Sequence, residues 1–431
     1  NRILQTRGLG HDPDTYISVA VHILTARATR AQGAPALNGQ PDSSTPTITG
    51  RLEGSRTVVF ESPKDACNDN DIPDAMARAF RDYEGTVHLV ASSSETFQNL
   101  GGTLEDVHHS CDPAFTSAGD PNPAAYNDQI WLTSFYTFDG VKVAALSHTE
   151  YHGWTHPNQC DTQNIIECEY DSDTFHLSTD GGYHFESFKA PRNFVAGVPY
   201  RYQLDGGPTG FSVDTGIVHY RGWYYAVATA WTSPPGCYGQ TGPNRCLING
   251  GAPIRTHDVF DPASWRAWSG KDFSVQFVDP YLGPVANPQE HVFAPVPYME
   301  YIYALNVFRH GDCLGRGHDF ESAEDFCPGD VVFATLWDVY DNNLGPQGLY
   351  FATTKDLVHW TKPTLVVTSA DLLAHDPTGS YYAYFSVLDP QAPDRNFSVV
   401  GDQAFLYFVR LNSNLPDRAL FRQPIRLHLN P

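Results

Sequence analysis

The chain has 431 residues, 49 Asp and Glu against 27 Lys and Arg, and a formal net charge of −22. A surface of that sign repels nucleic-acid phosphates and anionic lipid, which argues against both as partners, and no run of about eighteen apolar residues is present to span a membrane as a helix. With 41% hydrophobic residues, 35 Gly, 32 Pro, 23 Tyr and 25 Phe and no sustained 3.6-residue period, the composition predicts a large core built from short strands and tight turns.

In chain order, residues 1–50 hold a single aromatic, Tyr16. They read as an extended arm with one strand at Tyr16–Leu24, followed by a Pro-, Ser-, Thr- and Gly-rich linker. No basic-then-apolar leader opens the chain, so a processed product is expected. Residues 51–431 read as one all-β domain. A hairpin recurs at Ala77–Arg81 with Thr86–Ala91, Ile130–Tyr136 with Val141–Leu146, and Gly216–Tyr220 with Trp223–Ala228. It returns at Val292–Pro297 with Tyr301–Val307 and at Tyr381–Leu388 with Ala404–Val409. Five copies predict a five-bladed β-propeller, with Arg56–Phe60 completing the last blade; a sandwich or several jelly rolls is the alternative. Ser178–Phe185 fits an S-x-D-x-G-x-x-W/F turn, the Asp box, and Thr354–Trp360 and Thr256–Trp268 are looser relatives. There Asp180, Asp258 and Asp356 are expected to bind backbone N–H groups while the aromatic packs between sheets.

Eight cysteines form four local couples: Cys67 with Cys111, Cys160 with Cys168, Cys237 with Cys246, and Cys313 with Cys327. No C-x₂₋₄-C knuckle suggests zinc, so disulfides and a secreted or periplasmic location are expected. Asn396-Phe397-Ser398 is one glycosylation sequon, a pattern also common by chance.

Ile72-Pro73-Asp74, an alternating run, a turn and Val87–Ser92 resemble the first blade of arabinanase- and xylosidase-type glycoside hydrolases. Thr354–Trp360 resembles the same enzymes and the invertase type, and the Ile-Pro-Asp opening is also similar to D-arabinan-cleaving propellers. Ala75 stands where the motif has a second Pro. The resemblance implies a five-bladed fold, a carbohydrate substrate, Asp74 as the water-activating base and Asp128 as a modulator of proton affinity.

Strands that open each blade converge on the axis, which gathers Asp71, Asp74, Asp128, Asp214 and Glu290 as candidates. Glycoside hydrolysis needs two carboxyl groups in different protonation states. His148, Glu150 and His152 alternate and so share one strand face. Glu150 is a candidate acid with the histidines orienting it or binding sugar hydroxyls; a His–Glu–His metal cluster and a solvated strand end are the other readings. Arg78 and Arg201 are candidate hydroxyl clamps or structural ion-pair partners. His291 is a candidate facing the axis, and Trp131, Trp154, Trp223 and Trp231 are candidate stacking platforms. No cofactor is expected, a structural or axial metal ion aside. The expectation is a secreted glycoside hydrolase. A non-catalytic carbohydrate-binding or structural propeller, or a lyase or metal-dependent enzyme, stands beside it, and the arm offers a route to a homo-oligomer or filament.

Overall fold

Alternating apolar residues and Gly-bearing turns give strands nearly throughout the computed structural model. It describes residues 45–91, 93–161, 165–204, 209–232, 248–309, 329–338, 344–374, 381–412 and 417–430. The arm strand expected at Tyr16–Leu24 and the couples Cys237–Cys246 and Cys313–Cys327 lie outside these residues.

The first two strands, β1 (Thr47–Leu52) and β2 (Thr57–Ser62), belong to the sheet that ends the chain. A first meander follows: β3 (Arg78–Arg81), β4 (Val87–Val90), β5 (Glu95–Gly101) and β6 (Val107–Thr116). The second runs through β7 (Gln129–Thr137), β8 (Val143–His152) and β9 (Glu169–Ser178), with β10 (Glu186–Ser187) and β11 (Phe194–Gly197) both pairing β9. In the third, β12 (Thr209–Val213) and β13 (Val218–Tyr220) both pair β14 (Trp223–Thr232), and β15 (Ile248–Thr256) and β16 (Arg266–Ala267) follow. The fourth is β17 (Ile302–Phe308), β18 (Val331–Asp338), β19 (Gly348–Thr354) and β20 (Thr364–Thr368), trailed by the short helix α1 (Ser369–Ala374). The fifth is β21 (Tyr381–Leu388), β23 (Gln403–Leu411) and β24 (Arg418–Asn430), while β22 (Val399–Val400) pairs β17 in parallel.

The fold is therefore all-β and propeller-like. The opening strands of neighbouring meanders pack side by side: β3 on β7, β13 on β17, β17 on β21 and β21 back on β3. Between the second and third meanders, the Thr133 hydroxyl donates to the Val213 carbonyl at 2.6 Å and Ser134 donates to Thr215. Arg78 sits where these strands meet. Its guanidinium donates to the carbonyls of Ala77, Thr133 (3.1 Å), Asp214 and Tyr303 (2.7 Å). Burial pulls its pKa down to about 9, against the opposing pull of Asp214.

Aromatic residues fill the spaces between sheets. Phe135 lies 5.4 Å from Phe80 of the first meander and 5.5 Å from Phe185, the aromatic of the first Asp box. In that turn Asp180 Oδ1 accepts the Ser178 hydroxyl at 2.7 Å and the His184 N–H at 3.1 Å, and Gly181 and Gly182 have positive φ. Asp356 likewise accepts the N–H groups of Val358 and His359, and Asp258 that of Phe260. Trp360 and Trp265 are buried behind these turns. The three turns join the third strand of a meander to its fourth, as expected of their structural role.

The chain closes on itself through β24. Its first half pairs β2 and its second half β1, so the strand expected at Arg56–Phe60 does complete the last sheet. One hairpin is corrected. The partner of β17 is β18, not Val292–Pro297, which touches a strand only through a bridge from Val296 to Gly251. Pro295 and Pro297 lack the N–H donors that a ladder needs. Two disulfides are formed as paired from the sequence, Cys67–Cys111 and Cys160–Cys168. The sequon Asn396 has its amide engaged with the backbone N–H and carbonyl of Thr137 at 2.8 and 3.0 Å.

Candidate active site

Successive residues of a strand point to opposite faces, and directly paired residues of antiparallel neighbours share a face. On β8 that puts His148, Glu150 and His152 together. The register sets them opposite Asp173, Asp171 and Glu169 of β9, and opposite Trp131 and Gln129 of β7. One side of three strands thus carries four carboxyl groups, two imidazoles and an indole. β12 lies close alongside β9 because Gly210 has no side chain: a Cβ there would come within 2.3 Å of the Asp171 Cβ.

Glu150 is gripped at both oxygens. His148 Nε2 is 2.8 Å from Oε1 and His152 Nε2 is 2.6 Å from Oε2. Burial alone would raise the Glu150 pKa, but the hydrogen bonds and charge of the two imidazoles bring it below the usual carboxylate range. Burial works against a proton on His152, yet its hydrogen bond to Glu150 and the surrounding carboxylates raise its pKa. Glu169 behaves oppositely: buried, beside Glu150, its pKa is pushed up to about 7. Burial also lifts Asp173 well above the carboxylate range, although Oδ1 accepts the Val213 N–H at 2.7 Å.

Asp74 precedes β3. It forms an ion pair with Arg418, accepts the Tyr384 hydroxyl at 3.0 Å and lies 3.3 Å from the Trp131 indole N–H. The Trp131 ring is 6.2 Å from His148 and 6.3 Å from His152, so it stands between Asp74 and the Glu150 group. The side chains of Asp74 and Glu150 are 15% and 13% exposed. Asp128 Oδ2 accepts the His152 backbone N–H at 2.8 Å and lies 2.9 Å from His156 Nε2. Trp154 stacks on His152 at 4.2 Å.

The structure thus gathers Asp74, His148, Glu150 and His152 around Trp131, with Asp128 behind the His152 backbone. Arg78 is buried with its donors on backbone carbonyls, and Asp214 accepts the Ser212 hydroxyl at 2.5 Å. Glu290 and His291 lie on a 3-10 turn, Pro288–His291, where the His291 ring meets the Gln276 carbonyl at 2.8 Å. Arg201 donates to the Pro280 carbonyl, Trp223 stacks under Arg255, and the side chain of Trp231 is outside the described residues. Asp71 faces His109 at 2.7 Å. Among the described residues, Cys67, Asp71 and His109 have donor atoms within 4.8 Å of one another, but the Cys67 sulfur is committed to its disulfide.

Sequence reasoning passed over Glu169, Asp171 and Asp173. Their alternation in Glu169-Tyr170-Asp171-Ser172-Asp173 is the same signal that drew attention to Glu150. Arg418 and Tyr384 gave no local signal, being 344 and 310 residues from Asp74.

Comparison with family models and with curated protein sequences gives no match. Among solved structures, the chain is similar to a Cellvibrio cellulosa alpha-L-arabinanase complexed with arabinohexaose (11% identity, 81% of this chain and 90% of that one, TM-score 0.41). It is similar to an exo-1,5-alpha-L-arabinanase from a bovine ruminal metagenomic library (9%, 82% and 93%, TM-score 0.39). It is also similar to a Dyadobacter fermentans protein of unknown function (8%, 88% and 99%, TM-score 0.45). Residue roles in this chain rest on its own geometry.

Proposed function

We propose that the five meanders are blades of a five-bladed β-propeller, and that the chain is a secreted or periplasmic glycoside hydrolase whose reacting sugar lies over Trp131. The observation that supports this reading is the indole itself: it touches the Asp74 network through its N–H and the Glu150 network through its ring. An aromatic plane between two oriented carboxylates suits a sugar ring, because it stacks on C–H faces while the carboxyl groups address the bond being cut.

In this mechanism Asp74 takes a proton from water as the water oxygen bonds to the anomeric carbon. On the other side the C–O bond breaks, and the leaving oxygen takes a proton from Glu150, which receives it from His152 Nε2 across 2.6 Å. Asp128 holds the His152 backbone in place for this transfer. The two disulfides fit an oxidising compartment, and among the described residues no helix is long and apolar enough to cross a membrane.

The test is incubation with a polysaccharide panel, read as new reducing ends, with Asp74→Asn and Glu150→Gln in parallel. Release by the wild type and its loss in both variants is expected. Saccharide binding without release by any of the three proteins identifies the non-catalytic binding alternative.

A further inference from the structure

Glu169 is 1% exposed; neither of its oxygens meets an N–H group or a hydroxyl of the described residues, and its carboxyl shares a hydrogen bond with the carboxyl of Asp171. A carboxylate in that position is too costly to keep charged, so it holds its proton instead. It lies cross-strand from His152, whose other neighbour is Glu150 at 2.6 Å. The imidazole therefore stands between two carboxyl groups of unlike surroundings, one gripped by two imidazoles and one bonded to another carboxyl.

We propose that Glu169 is a positioning residue that, through His152, sets how tightly the Glu150–His152 pair holds its proton. This rests on the reading of Glu150 as the group that protonates the leaving oxygen. The groups facing Glu169 are Glu150, His148 and His152 on β8 and Asp171 on β9. Those facing His152 are Glu150, Glu169 and Asp128. Among them Glu169 changes charge near neutral pH, its carboxyl being pushed up to about 7 by burial and by Glu150. Below that range Glu169 is neutral and leaves His152 to Glu150. Above it the new negative charge tightens the hold of His152 on its proton, and the pair surrenders that proton less readily. Two carboxyl groups whose surroundings push their proton affinities apart form a division of labour.

The test needs no sugar, so it is independent of the polysaccharide panel. Ring ¹⁵N resonances of His152, assigned with His152→Asn, are followed from pH 4 to 10 in the full chain with ¹⁵N-histidine. In the wild type the His152 curve is expected to bend near pH 7 as Glu169 ionises. In Glu169→Gln, an uncharged mimic of the protonated form, the bend is lost and His152 releases its proton about one pH unit earlier, a tenfold change in proton affinity. Glu169→Asp keeps a carboxyl there and is expected to keep the bend, which separates loss of charge from loss of fold. Superimposable His152 curves in the wild type and a folded Glu169→Gln would overturn the proposal. So would a wild-type curve without the bend.

Discussion

Asp74 is fixed by partners from the second and fifth meanders, and Arg418 is the one that carries charge. Both members of that pair are largely withdrawn from water, at 15% and 4% exposure. Removing the cation alone strands a carboxylate: Arg418→Met is expected to cost about 3 kcal/mol in urea unfolding, and adding Asp74→Asn should return most of it. In the reading proposed here, Asp74→Asn alone should keep the fold and saccharide affinity while turnover falls by about three orders of magnitude. Activity within a few-fold of wild type removes Asp74 from the role of base. His176 supplies a different check. Buried among the hydroxyls of Ser147, Thr174 and Ser187 at 2.9–3.0 Å, its pKa is pulled down to about 3 by burial. The unfolded chain binds that proton near pH 6.5, so the stabilisation is full above pH 6.5 and is lost as pH falls toward 3. Stability of His176→Gln measured against wild type should show the difference shrinking by about 1.4 kcal/mol for each unit of pH below 6. At this scale the sequence was informative where side chains alternate within one strand, as at His148, Glu150 and His152. It was silent about partners such as Arg418 and Tyr384, because a salt bridge across 344 residues leaves no mark on either end.

Among the elements, β9 shows why strand identity alone does not locate a site. Its acidic face is usable because β8 presents imidazoles in matching register and because β12 comes close at Gly210. Gly210→Ala would drive a methyl group into Asp171, and the parallel pair between β9 and β12 must then part. A loss of about 1–3 kcal/mol is expected, the usual cost of overpacking, with a lowered thermal midpoint as the readout. An unchanged midpoint would mean that β12 can slide without penalty. The Asp boxes were legible because each is a local turn with its own hydrogen-bond acceptor. The opening strand of the fourth meander was legible too, but its partner was not. Val292–Pro297 is apolar enough to pass for a strand, while the true partner β18 begins at Val331, after a long insertion.

For the molecule as a whole, the disulfide Cys67–Cys111 ties the segment before Asp74 to β6 across 44 residues. Loop-closure entropy for that span predicts about 4 kcal/mol lost in Cys67→Ser/Cys111→Ser, measured as the shift in denaturant midpoint under non-reducing conditions. Both described disulfides stay within one meander or its adjoining loop, so they brace parts of the structure without joining one meander to another. Meanders are joined instead by Arg78, by the β9–β12 and β17–β22 pairs and by the Thr133 and Ser134 hydroxyls.

β24 carries a further meaning for how the protein is made. The Thr49 hydroxyl meets the His428 carbonyl 379 residues away, and both β1 and β2 wait for a strand that leaves the ribosome long after them. Until β24 is made, Ile48 and Phe60, buried in the finished protein, lack the strand that pairs beside them, and two bare strand edges are free to pair with other chains. A nascent chain halted before Arg418 is therefore not merely shortened but unfastened. Its fate depends on whether chaperones shield β1 and β2 until the thirteen-residue β24 arrives.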